Sequence, residues 1–583
     1  MRRTLLYALL ALAVPALAEP DPTPAQISVY VPTPDGVRLG VDVVFAGSAT
    51  RRAPSLVQVT RYGRAGRDPG MLAHYGQAGL HQVFVDARGS GASFGTRAIE
   101  FSSDEVADLG QIVEWIARQP WSDGNVIFTG NSYAGDTAEL ATASGRNSLR
   151  AAVIRHSEFD PYRHLTYPGG VRNEMLITLW GAAVGEEDRG EACLQSVAAC
   201  RALEHLEPVT GDADYTLLRQ ALAQHQLNFR ADRDLAAVQF IDDNVPAGQT
   251  LYSVGARSRS QAIEAAGVPV QVWASWMDAG TAASALERYQ SLPTVPAEVF
   301  IAAWAHGGKQ SVDPFFALDQ PNVMERARQL QAHTKFIASA LAGKRAPRVV
   351  RYVPLGSTQW RDTDQWPPAG VAPKRWFLSA GHRLTDDHPA EAAAVDQYAV
   401  DFSATSGTAN RWRTQLGGDP VVYASRAADD ARLITYTSPV VDSDVELAGR
   451  VRVKLHIALD RSDAAVFAYL EDVSPEGKVT YLTEGQLRLM HRRPGNNVDR
   501  EPSYRRADAQ PVIPNSDIEA EILLQPVAAR IRTGHRLRLA LGGADAGTFA
   551  RYPAEGALTF RIQRSAQLAS WIEIPLRPWR DRT

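Results

Sequence analysis

The spacing of apolar residues changes along this chain, and that change constrains the fold more than any other feature of the sequence. In the first 160 residues, short apolar runs such as 56–60, 83–85 and 126–128 alternate with amphipathic segments such as 104–119. Strands that alternate with helices favour a mainly parallel sheet covered by helices on both faces. This part of the chain therefore predicts an α/β domain.

A helical insertion interrupts the α/β pattern. Between about 161 and 265 strand signals fade and helical segments dominate, and the strand pattern returns at 268–276 and 297–304. Helices inserted at this point would lie over the carboxyl edge of the sheet, where such folds bind their ligands. We predict a helical cap at 161–265 inside an α/β domain formed by 19–160 and 266–347.

The last third of the chain has a different period. Residues 451–459 alternate strictly between apolar and polar, as do 535–541, with no helical pattern between them. Period two repeated over many short segments is typical of an antiparallel β-sandwich. We predict that 348–583 form such a domain, with its own core and no cluster of catalytic residues.

The N-terminus has the features of a signal peptide. Arg2 and Arg3 precede an apolar run at 5–14 that is too short to span a bilayer, and the small residues of 16–18, Ala-Leu-Ala, suit cleavage. We predict a signal peptide at 1–18 and a secreted or periplasmic protein with no membrane span after cleavage. Retention of the segment as an anchor is the alternative.

Composition and motifs exclude several kinds of partner. The chain has 61 Lys+Arg against 65 Asp+Glu and lacks the basic excess that nucleic-acid binding requires. It has no C-x-x-C, H-E-x-x-H or zinc-type spacing, and its glycine-rich run 89–95 lacks the G-x-G-x-x-G spacing of a dinucleotide loop. We therefore expect no nucleic acid, no metal and no cofactor.

The chain has two cysteines, Cys193 and Cys200. In an exported protein an oxidising compartment favours a disulfide between them. On a continuous helix they would lie about two turns apart, too far to bond. A disulfide therefore predicts a break in the helix, and two free thiols on one helical face are the alternative.

A serine lies between a predicted strand and a predicted helix, in the run 130–135, Gly-Asn-Ser-Tyr-Ala-Gly. On a sharp strand-to-helix turn the side chain of Ser132 would be exposed at the carboxyl edge of the sheet, and small neighbours would let strand and helix approach closely. By itself a G-x-S-x-A pentapeptide is common by chance, so the hypothesis of a nucleophile depends on its partners.

Candidate partners follow Ser132 in the chain order serine, acid, histidine that α/β-hydrolases use. Asp278 follows the predicted strand 268–276, and His306 follows the strand 297–304 in a glycine-rich loop. An oxyanion hole needs hydrogen-bond donors, one of them the N–H after the nucleophile, which belongs to Tyr133. Tyr62 follows an earlier strand and is either a second donor or a boundary aromatic. We interpret His156, which precedes every candidate acid at a strand end, as a core or cap-contacting residue.

Three segments of the chain resemble a known family of serine hydrolases, the CocE/NonD and S15-like family. Segment 86–95, Asp-Ala-Arg-Gly-Ser-Gly-Ala-Ser-Phe-Gly, is similar to the family pattern D-x-R-G-x-G-x-S-x-G. Segment 115–124 resembles the stretch before the nucleophile, and 130–135 fits G-x-S-Y-x-G. The family includes bacterial cocaine esterase, α-amino-acid ester hydrolases, glutaryl cephalosporin acylases and X-prolyl dipeptidyl peptidases.

The resemblance spans the mature chain and implies an α/β-hydrolase domain, a helical cap and a C-terminal jelly-roll-like β-sandwich. It implies that Ser132, Asp278 and His306 form a catalytic triad, and that the Tyr62 hydroxyl joins the Tyr133 N–H in the oxyanion hole. The chain departs from the family at Met277, where a tyrosine is frequent, and at the residue before Tyr62, an arginine in place of proline. These departures affect the pocket and leave the catalytic atoms in place.

The sequence predicts an exported serine hydrolase that cleaves an ester or amide of a small molecule or short peptide through an acyl-enzyme on Ser132. Trp180, Trp276 and Phe159 are candidates for an apolar pocket. An X-prolyl dipeptidyl peptidase or α-amino-acid ester hydrolase is the alternative, with a substrate ammonium held by cap carboxylates from the set Glu158, Asp160, Glu186, Glu187 and Asp188. A non-catalytic exported protein that binds a glycan or a partner is an alternative of another class.

Overall fold

The computed structural model describes residues 26–581, apart from 204–205, 246–247, 318–319, 321, 418–420 and 497–498. The predicted signal peptide, 1–18, lies outside the described residues. In the part of the chain that is described, no helix combines the length and the apolar character needed to cross a bilayer.

The first domain is built on one sheet of ten strands. They are β1 (Gln26–Pro32), β2 (Arg38–Val44), β3 (Ala53–Thr60), β4 (His81–Asp86), β5 (Ser122–Asn131), β6 (Leu149–Arg155), β7 (Val270–Ser275), β8 (Ala297–Ala302), β9 (Val349–Tyr352) and β10 (Arg361–Thr363). Their order in the sheet is β1-β2-β4-β3-β5-β6-β7-β8-β9-β10. The strands from β4 to β9 pair in parallel, whereas β1, β2 and β10 pair antiparallel at the two edges.

Helices cover both faces of this sheet, which is why its central strands are apolar on both sides. They are α1 (Pro69–Gln77), α2 (Ser103–Ala117), α3 (Tyr133–Thr142), α11 (Thr281–Ser291) and α12 (Arg326–Leu341). Val83 and Val85 on β4, and Val126 and Phe128 on β5, are each 0% exposed. Parallel strands buried in this way appear in a sequence as short continuous apolar runs.

The sheet extends beyond the predicted domain boundary at residue 347. β9 pairs in parallel with β8, and β10 adds to β9 in antiparallel register, so the segment up to Thr363 belongs to the first domain. The prediction was wrong here because β9 lies near the edge of the sheet. Its residues alternate between half-buried and buried, and that pattern is typical of a sandwich strand.

The segment between β6 and β7 forms a helical cap. Its described helices are α4 (Glu174–Arg189), α5 (Glu191–Gln195), α6 (Val197–Arg201), α7 (Thr216–His225), α8 (Ala231–Asp234), α9 (Leu251–Val254) and α10 (Ser260–Ala266). Cys193 on α5 and Cys200 on α6 are joined in a disulfide. Between them Ser196 is extended, with φ −158° and ψ 151°, so the helical path is broken at this point.

Thirteen strands form the C-terminal β-sandwich. They are β11 (Ala372–Ser379), β12 (Arg383–Thr385), β13 (Val395–Ala399), β14 (Ile434–Thr437), β15 (Val445–Gly449), β16 (Arg452–Leu459), β17 (Ala465–Val473), β18 (Val479–Arg488), β19 (Ile518–Leu523), β20 (Val527–Ile531), β21 (Arg536–Gly542), β22 (Thr559–Gln563) and β23 (Trp571–Pro578). On β16, Val453, Leu455 and Ile457 are 0% exposed and alternate with half-buried polar residues. This alternation packs one face of the strand into the core.

The sandwich docks tightly on the other two parts of the molecule. The Leu355 N–H donates to the Ala528 carbonyl at 2.8 Å, and the Arg530 N–H donates back to the Leu355 carbonyl at 2.9 Å. Gly169 in the cap, at φ 65°, lies against β18 so closely that a Cβ there would be 1.8 Å from the Gln486 carbonyl oxygen. This docking brings a loop of the sandwich to the carboxyl edge of the first sheet.

Candidate active site

Ser132 occupies the turn between β5 and α3 at the carboxyl edge of the sheet. Its backbone has φ 59° and ψ −131°, a region that a non-glycine residue rarely adopts. A Cβ at Gly130 would lie 2.2 Å from the Ala134 carbonyl, and one at Gly135 would lie 2.7 Å from the Arg155 oxygen. Small residues are therefore required on both sides of the serine, as the sequence motif predicts. The Ser132 side chain does not cap α3, so its hydroxyl is available to other partners.

Asp278 and His306 meet at the same edge of the sheet. Asp278 follows β7, His306 follows β8, and His306 Nδ1 lies 2.9 Å from Asp278 Oδ2. Asp278 is 0% exposed. Burial alone would raise the pKa of its carboxyl, but two neighbouring imidazoles lower it to about 2, and the group is therefore a carboxylate at neutral pH. The Asn131 amide nitrogen lies 3.4 Å from His306 Nε2, which places that nitrogen beside the residue that precedes Ser132.

Two further side chains bind Asp278, and the sequence did not point to either as part of a site. His156, at the end of β6, places Nδ1 2.8 Å from Oδ2. Gln415 donates from its amide to Oδ1 at 2.8 Å. The interpretation of His156 as an ordinary core or cap-contacting residue was therefore incomplete, although the residue is fully buried. Its position at a strand end, like those of Asp278 and His306, is the signal that could have found it.

Gln415 belongs to the C-terminal domain, as does Thr414, whose hydroxyl accepts a hydrogen bond of 2.8 Å from the His306 N–H. Arg411 holds this loop in place, since its backbone oxygen accepts from the Ala279 N–H at 2.8 Å and its guanidinium donates to the Ala279 oxygen at 2.9 Å. The C-terminal domain therefore supports the site through two side chains, although it holds no cluster of catalytic residues among those that the structure describes. Nothing in the local sequence of this loop indicates its position, because the contact depends on how two domains dock.

Tyr62 and Tyr133 lie next to each other beside Ser132. Their rings are 6.1 Å apart, edge to face. The Tyr133 N–H lies in the first turn of α3, where N–H groups have no partner within the helix. The Tyr62 oxygen accepts a 3.0 Å hydrogen bond from the Trp180 indole, and its own proton can be donated elsewhere. Burial raises the pKa of Tyr62 to about 12, so the phenol keeps that proton at neutral pH.

A cavity of about 810 Å³ opens between Ser132 and the cap. Its walls are mostly apolar, and Tyr62 and Tyr133 line it next to the serine. The apolar lining from the cap comprises Leu165, Leu176, Ile177, Trp180, Phe229, Ala231, Leu235, Leu251 and Val254. An apolar cavity with a few polar groups at one end is typical of a small-molecule site.

Of the three aromatic residues predicted to line a pocket, Trp180 does so and two do not. Trp276 is 0% exposed, donates its indole N–H to the Val353 carbonyl at 2.8 Å and stacks on Trp366. Phe159 is also 0% exposed and lies under the Arg288 guanidinium. Both predictions were wrong because the chain leaves the sheet at these points, and which side a residue faces there depends on tertiary packing.

Of the carboxylates predicted to hold an ammonium, Glu158 is the one that lines the cavity. Asp160 is engaged by Arg163 at 3.2 Å and Arg257 at 3.3 Å. Asp188 is engaged by two buried arginines, one of them Arg61 at 2.8 Å. Neither of these ion-paired carboxylates lines the cavity.

Glu158 shares its end of the cavity with Asp136. The Glu158 N–H donates to Asp136 Oδ1 at 2.9 Å, both side chains are at least nine-tenths buried, and Glu158 Oε1 has no hydrogen-bond partner. Burial, then the charge of Asp278, raises the pKa of Glu158 to about 8. Burial and the charge of Glu158 raise the pKa of Asp136 well above its ordinary range. At neutral pH this pair therefore holds protons that exposed carboxyls would have lost.

The cluster His156, Asp278 and His306 brings metal-ligand types of side chain within 4.8 Å of one another. Both histidine Nδ1 atoms lie at hydrogen-bond distance from one carboxylate oxygen, so each imidazole donates a proton there. A metal ion would have to displace those protons. This donor set therefore fits a hydrogen-bonded acid–histidine pair better than a metal site.

Comparison with known proteins shows the family to which this chain belongs. The family model of the X-Pro dipeptidyl-peptidase (S15 family) matches residues 35–308, and that of the X-Pro dipeptidyl-peptidase C-terminal non-catalytic domain matches residues 342–572. A protein of Mycobacterium bovis named as a serine esterase is 33% identical in an alignment 602 residues long, gaps included. The alignment covers 94% of this chain and 95% of that protein. This chain belongs to the CocE/NonD and S15-like family of serine hydrolases.

Two further proteins match this hydrolase over most of its length. The cocaine esterase of a Rhodococcus species is 26% identical over 499 residues, covering 80% of this chain and 83% of that enzyme. The structure of an α-amino-acid ester hydrolase superposes with a TM-score of 0.72 at 17% identity, covering 98% of this chain and 100% of the other. The second likeness shows the α/β-hydrolase fold with its cap and β-sandwich.

Proposed function

We propose that this hydrolase cleaves carboxylic esters through a covalent acyl-enzyme on Ser132. The observation that carries the proposal is the Asp278–His306 pair, joined at 2.9 Å beside a serine that is held on a strained turn at the wall of an apolar cavity. A hydroxyl becomes a nucleophile when an adjacent base takes its proton, and a third group orients that base. We assign these three roles to Ser132, His306 and Asp278 in that order.

In the first half of the reaction, Ser132 Oγ bonds to the substrate carbonyl carbon while His306 Nε2 takes the hydroxyl proton. The electron pair of the C=O bond moves onto the oxygen, and the Tyr133 N–H and the Tyr62 hydroxyl stabilise that charge. The tetrahedral intermediate then collapses, the bond to the leaving alcohol breaks, and His306 returns its proton to the alcohol oxygen. Asp278 stabilises the imidazolium that exists between these steps.

In the second half, a water molecule takes the place of the alcohol. His306 accepts one of its protons as the water oxygen bonds to the acyl carbon, and the same two donors hold the oxyanion. Collapse breaks the bond to Ser132 Oγ, which recovers its proton from His306, and the carboxylic acid leaves.

The cavity favours an apolar substrate group. Its cap wall consists of aliphatic and aromatic side chains, and removing an apolar group from water contributes about 0.8 kcal/mol per methylene. A linear or branched acyl or alcohol group would therefore bind there more tightly as it lengthens.

The first test compares the purified protein with its Ser132→Ala variant on p-nitrophenyl esters. The variant should lose turnover by a factor of about 10⁴ or more while melting at the same temperature. Turnover that survives this substitution would refute the nucleophile. Absence of turnover in the parent protein on esters and anilides alike would favour the non-catalytic binding protein.

A second candidate function is cleavage next to a free amino group, as in a dipeptidyl peptidase or an α-amino-acid ester hydrolase. The observation that favours it is that Glu158 lines the cavity together with Asp136 and has a buried Oε1 without a hydrogen-bond partner. A substrate ammonium there would gain a charge-assisted hydrogen bond. Ala-Pro p-nitroanilide tests this candidate. Its turnover should fall at least tenfold in Glu158→Gln, whereas an uncharged p-nitrophenyl ester should be cleaved by the variant at a similar rate.

We infer export from the N-terminal segment alone. Arg2 and Arg3, the apolar run that follows and the small residues at 16–18 support cleavage after Ala18. N-terminal sequencing of the protein expressed from its full reading frame should find Glu19 first. An intact N-terminus on membrane-bound protein would instead support a retained anchor.

A further inference from the structure

Two histidines donate to a single oxygen of Asp278. His306 Nδ1 lies 2.9 Å and His156 Nδ1 lies 2.8 Å from Oδ2, and the two rings meet edge to face at 5.7 Å. The other oxygen, Oδ1, accepts from Gln415. A triad needs only one histidine on its carboxylate. The second one therefore calls for a physical explanation.

His156 lies too deep to act on a substrate. It is 0% exposed, it is not part of the cavity wall, and its Nε2 is buried without a hydrogen-bond partner. A Cβ at Gly308 would come within 3.3 Å of that Nε2, so the loop after His306 closes over it. Its backbone, at φ 46°, is held by a 2.7 Å hydrogen bond from its N–H to the Trp273 carbonyl.

His156 is neutral while it makes this contact. Burial lowers its pKa, although Asp278 opposes that effect, and a second imidazolium so close to His306 would be repelled. A neutral imidazole whose Nδ1 carries the proton leaves Nε2 bare, which agrees with the orphaned Nε2 atom. His156 thus donates a hydrogen bond to Asp278 without adding a positive charge. The Asp278 carboxylate therefore has a single imidazolium to stabilise, that of His306.

We propose that His156 is a positioning residue that lowers the basicity of His306 through the carboxylate oxygen they share. A donor on Oδ2 withdraws negative charge from the oxygen that His306 also binds, and it fixes that oxygen in the plane of the His306 ring. His306 then loses its proton at a lower pH than it would beside a carboxylate without this donor. The inference rests on the proposed role of His306 as the base.

Of the other charged groups near this cluster, Arg155 and Tyr423 do not titrate near neutral pH, whereas Glu158 and Glu105, which accepts a hydrogen bond from the Tyr133 hydroxyl, do. Arg155 donates to the Gly307 carbonyl at 2.7 Å and stays cationic. Burial holds the pKa of Tyr423 far above its ordinary value, and that of Glu158 at about 8. Glu158 and Glu105 are unchanged in every His156 variant, so a shift of the acid limb that differs between two such variants reports on the pair of histidines and their carboxylate.

The test uses two substitutions of similar shape. In His156→Asn the amide nitrogen takes the place of Nδ1 and keeps the donor, whereas His156→Leu removes it. We expect the acid limb of kcat/KM for a p-nitrophenyl ester to move up by about half a pH unit to one unit in the leucine variant. We also expect its plateau to fall about tenfold. The asparagine variant should stay close to the parent on both measures.

His333→Leu is the matched control. His333 is also fully buried and neutral, but its Nδ1 lies 2.8 Å from the Tyr75 hydroxyl and not against Asp278. It should lose stability without a shift of the acid limb. If His156→Leu does not fold, His156→Gln replaces it, since its longer side chain cannot place a donor at the Nδ1 position.

The outcomes separate this inference from the proposed function. The inference would be overturned if the acid limb of kcat/KM fell at the same pH in the parent and in the leucine or glutamine variant. It would also be overturned if the acid limb shifted equally in the asparagine and leucine variants. Both of these results presuppose turnover that depends on Ser132. Turnover that is independent of Ser132 would instead refute the proposed function itself.

Discussion

Filling the cavity at Val254 should shorten the substrate chain that this enzyme prefers. Val254 is the last residue of α9, is 2% exposed and lines the cavity of about 810 Å³. In Val254→Phe a phenyl ring replaces the isopropyl group, and the empty space beside it can receive the ring. The substitution therefore removes room from the substrate and leaves the packed core of the cap in place.

The size of the effect follows from the transfer of methylene groups out of water. Each buried methylene contributes about 0.8 kcal/mol, and 1.36 kcal/mol changes a rate tenfold, so kcat/KM should rise about fourfold per methylene while the chain still fits. Phenylalanine has four more side-chain carbons than valine and occupies the room of about four methylenes at protein packing density. For the longest chains that the parent accepts, the variant should therefore lose about two orders of magnitude in kcat/KM.

The assay is kcat/KM on a series of p-nitrophenyl esters whose acyl chains lengthen two carbons at a time. Val245→Phe is the matched control, because Val245 lies in the same cap and is 4% exposed but does not line the cavity. It should lower the melting temperature and keep the parent's ratio of long-chain to short-chain activity. A flat series in the parent protein, or the same long-chain preference in Val254→Phe, would show that the substrate chain does not occupy this cavity.

Three further substitutions test the elbow, the oxyanion hole and the buried acid pair. Gly130→Ala should abolish activity and lower the free energy of unfolding by about 1–3 kcal/mol in a denaturant titration, because its Cβ would lie 2.2 Å from the Ala134 carbonyl. An active and stable variant would contradict the close approach of the strand and the helix at this turn. Tyr62→Phe should lower kcat for ester hydrolysis by about 10²-fold with little change in KM. If Tyr62→Phe lowered the turnover that remains in Ser132→Ala by the same factor, Tyr62 would not be an oxyanion donor. Glu158 binds its proton more tightly in the folded chain, with a pKa of about 8 against 4.5, so folding stability should fall as pH rises through that interval. Calorimetry should find a smaller fall in Glu158→Gln. Equal slopes of stability against pH in the parent and the variant would rule out a protonated Glu158.

Much of the fold and part of the site could be predicted from local patterns. The α/β alternation, the helical insertion and the period-two strands are each visible within ten to twenty residues, because a strand or helix buries its apolar residues at the spacing of its own backbone. The ends of successive parallel strands meet at one edge of the sheet. Chain order was therefore enough to bring Asp278 and His306 to the edge where Ser132 lies.

The errors have one physical origin. Trp276 directly follows β7 and Phe159 lies in the loop after β6, where the alternation of the sheet no longer decides which way a side chain faces. The domain boundary was wrong because β9 and β10 lie at an edge and have the pattern of sandwich strands. In each case the missing information is the identity of the neighbouring segment, and that neighbour is distant in the sequence.

The sequence by itself determined the three-part architecture, the strained serine turn and the pairing of an acid with a histidine, since these depend on backbone geometry and the order of strands. Only the tertiary structure decided the surroundings of that acid. Asp278 receives its other donors from His156, just after the neighbouring strand β6, and from Gln415 in another domain. These contacts span 122 and 137 residues, and no periodicity reaches so far, because the packing of whole domains and not local spacing sets them.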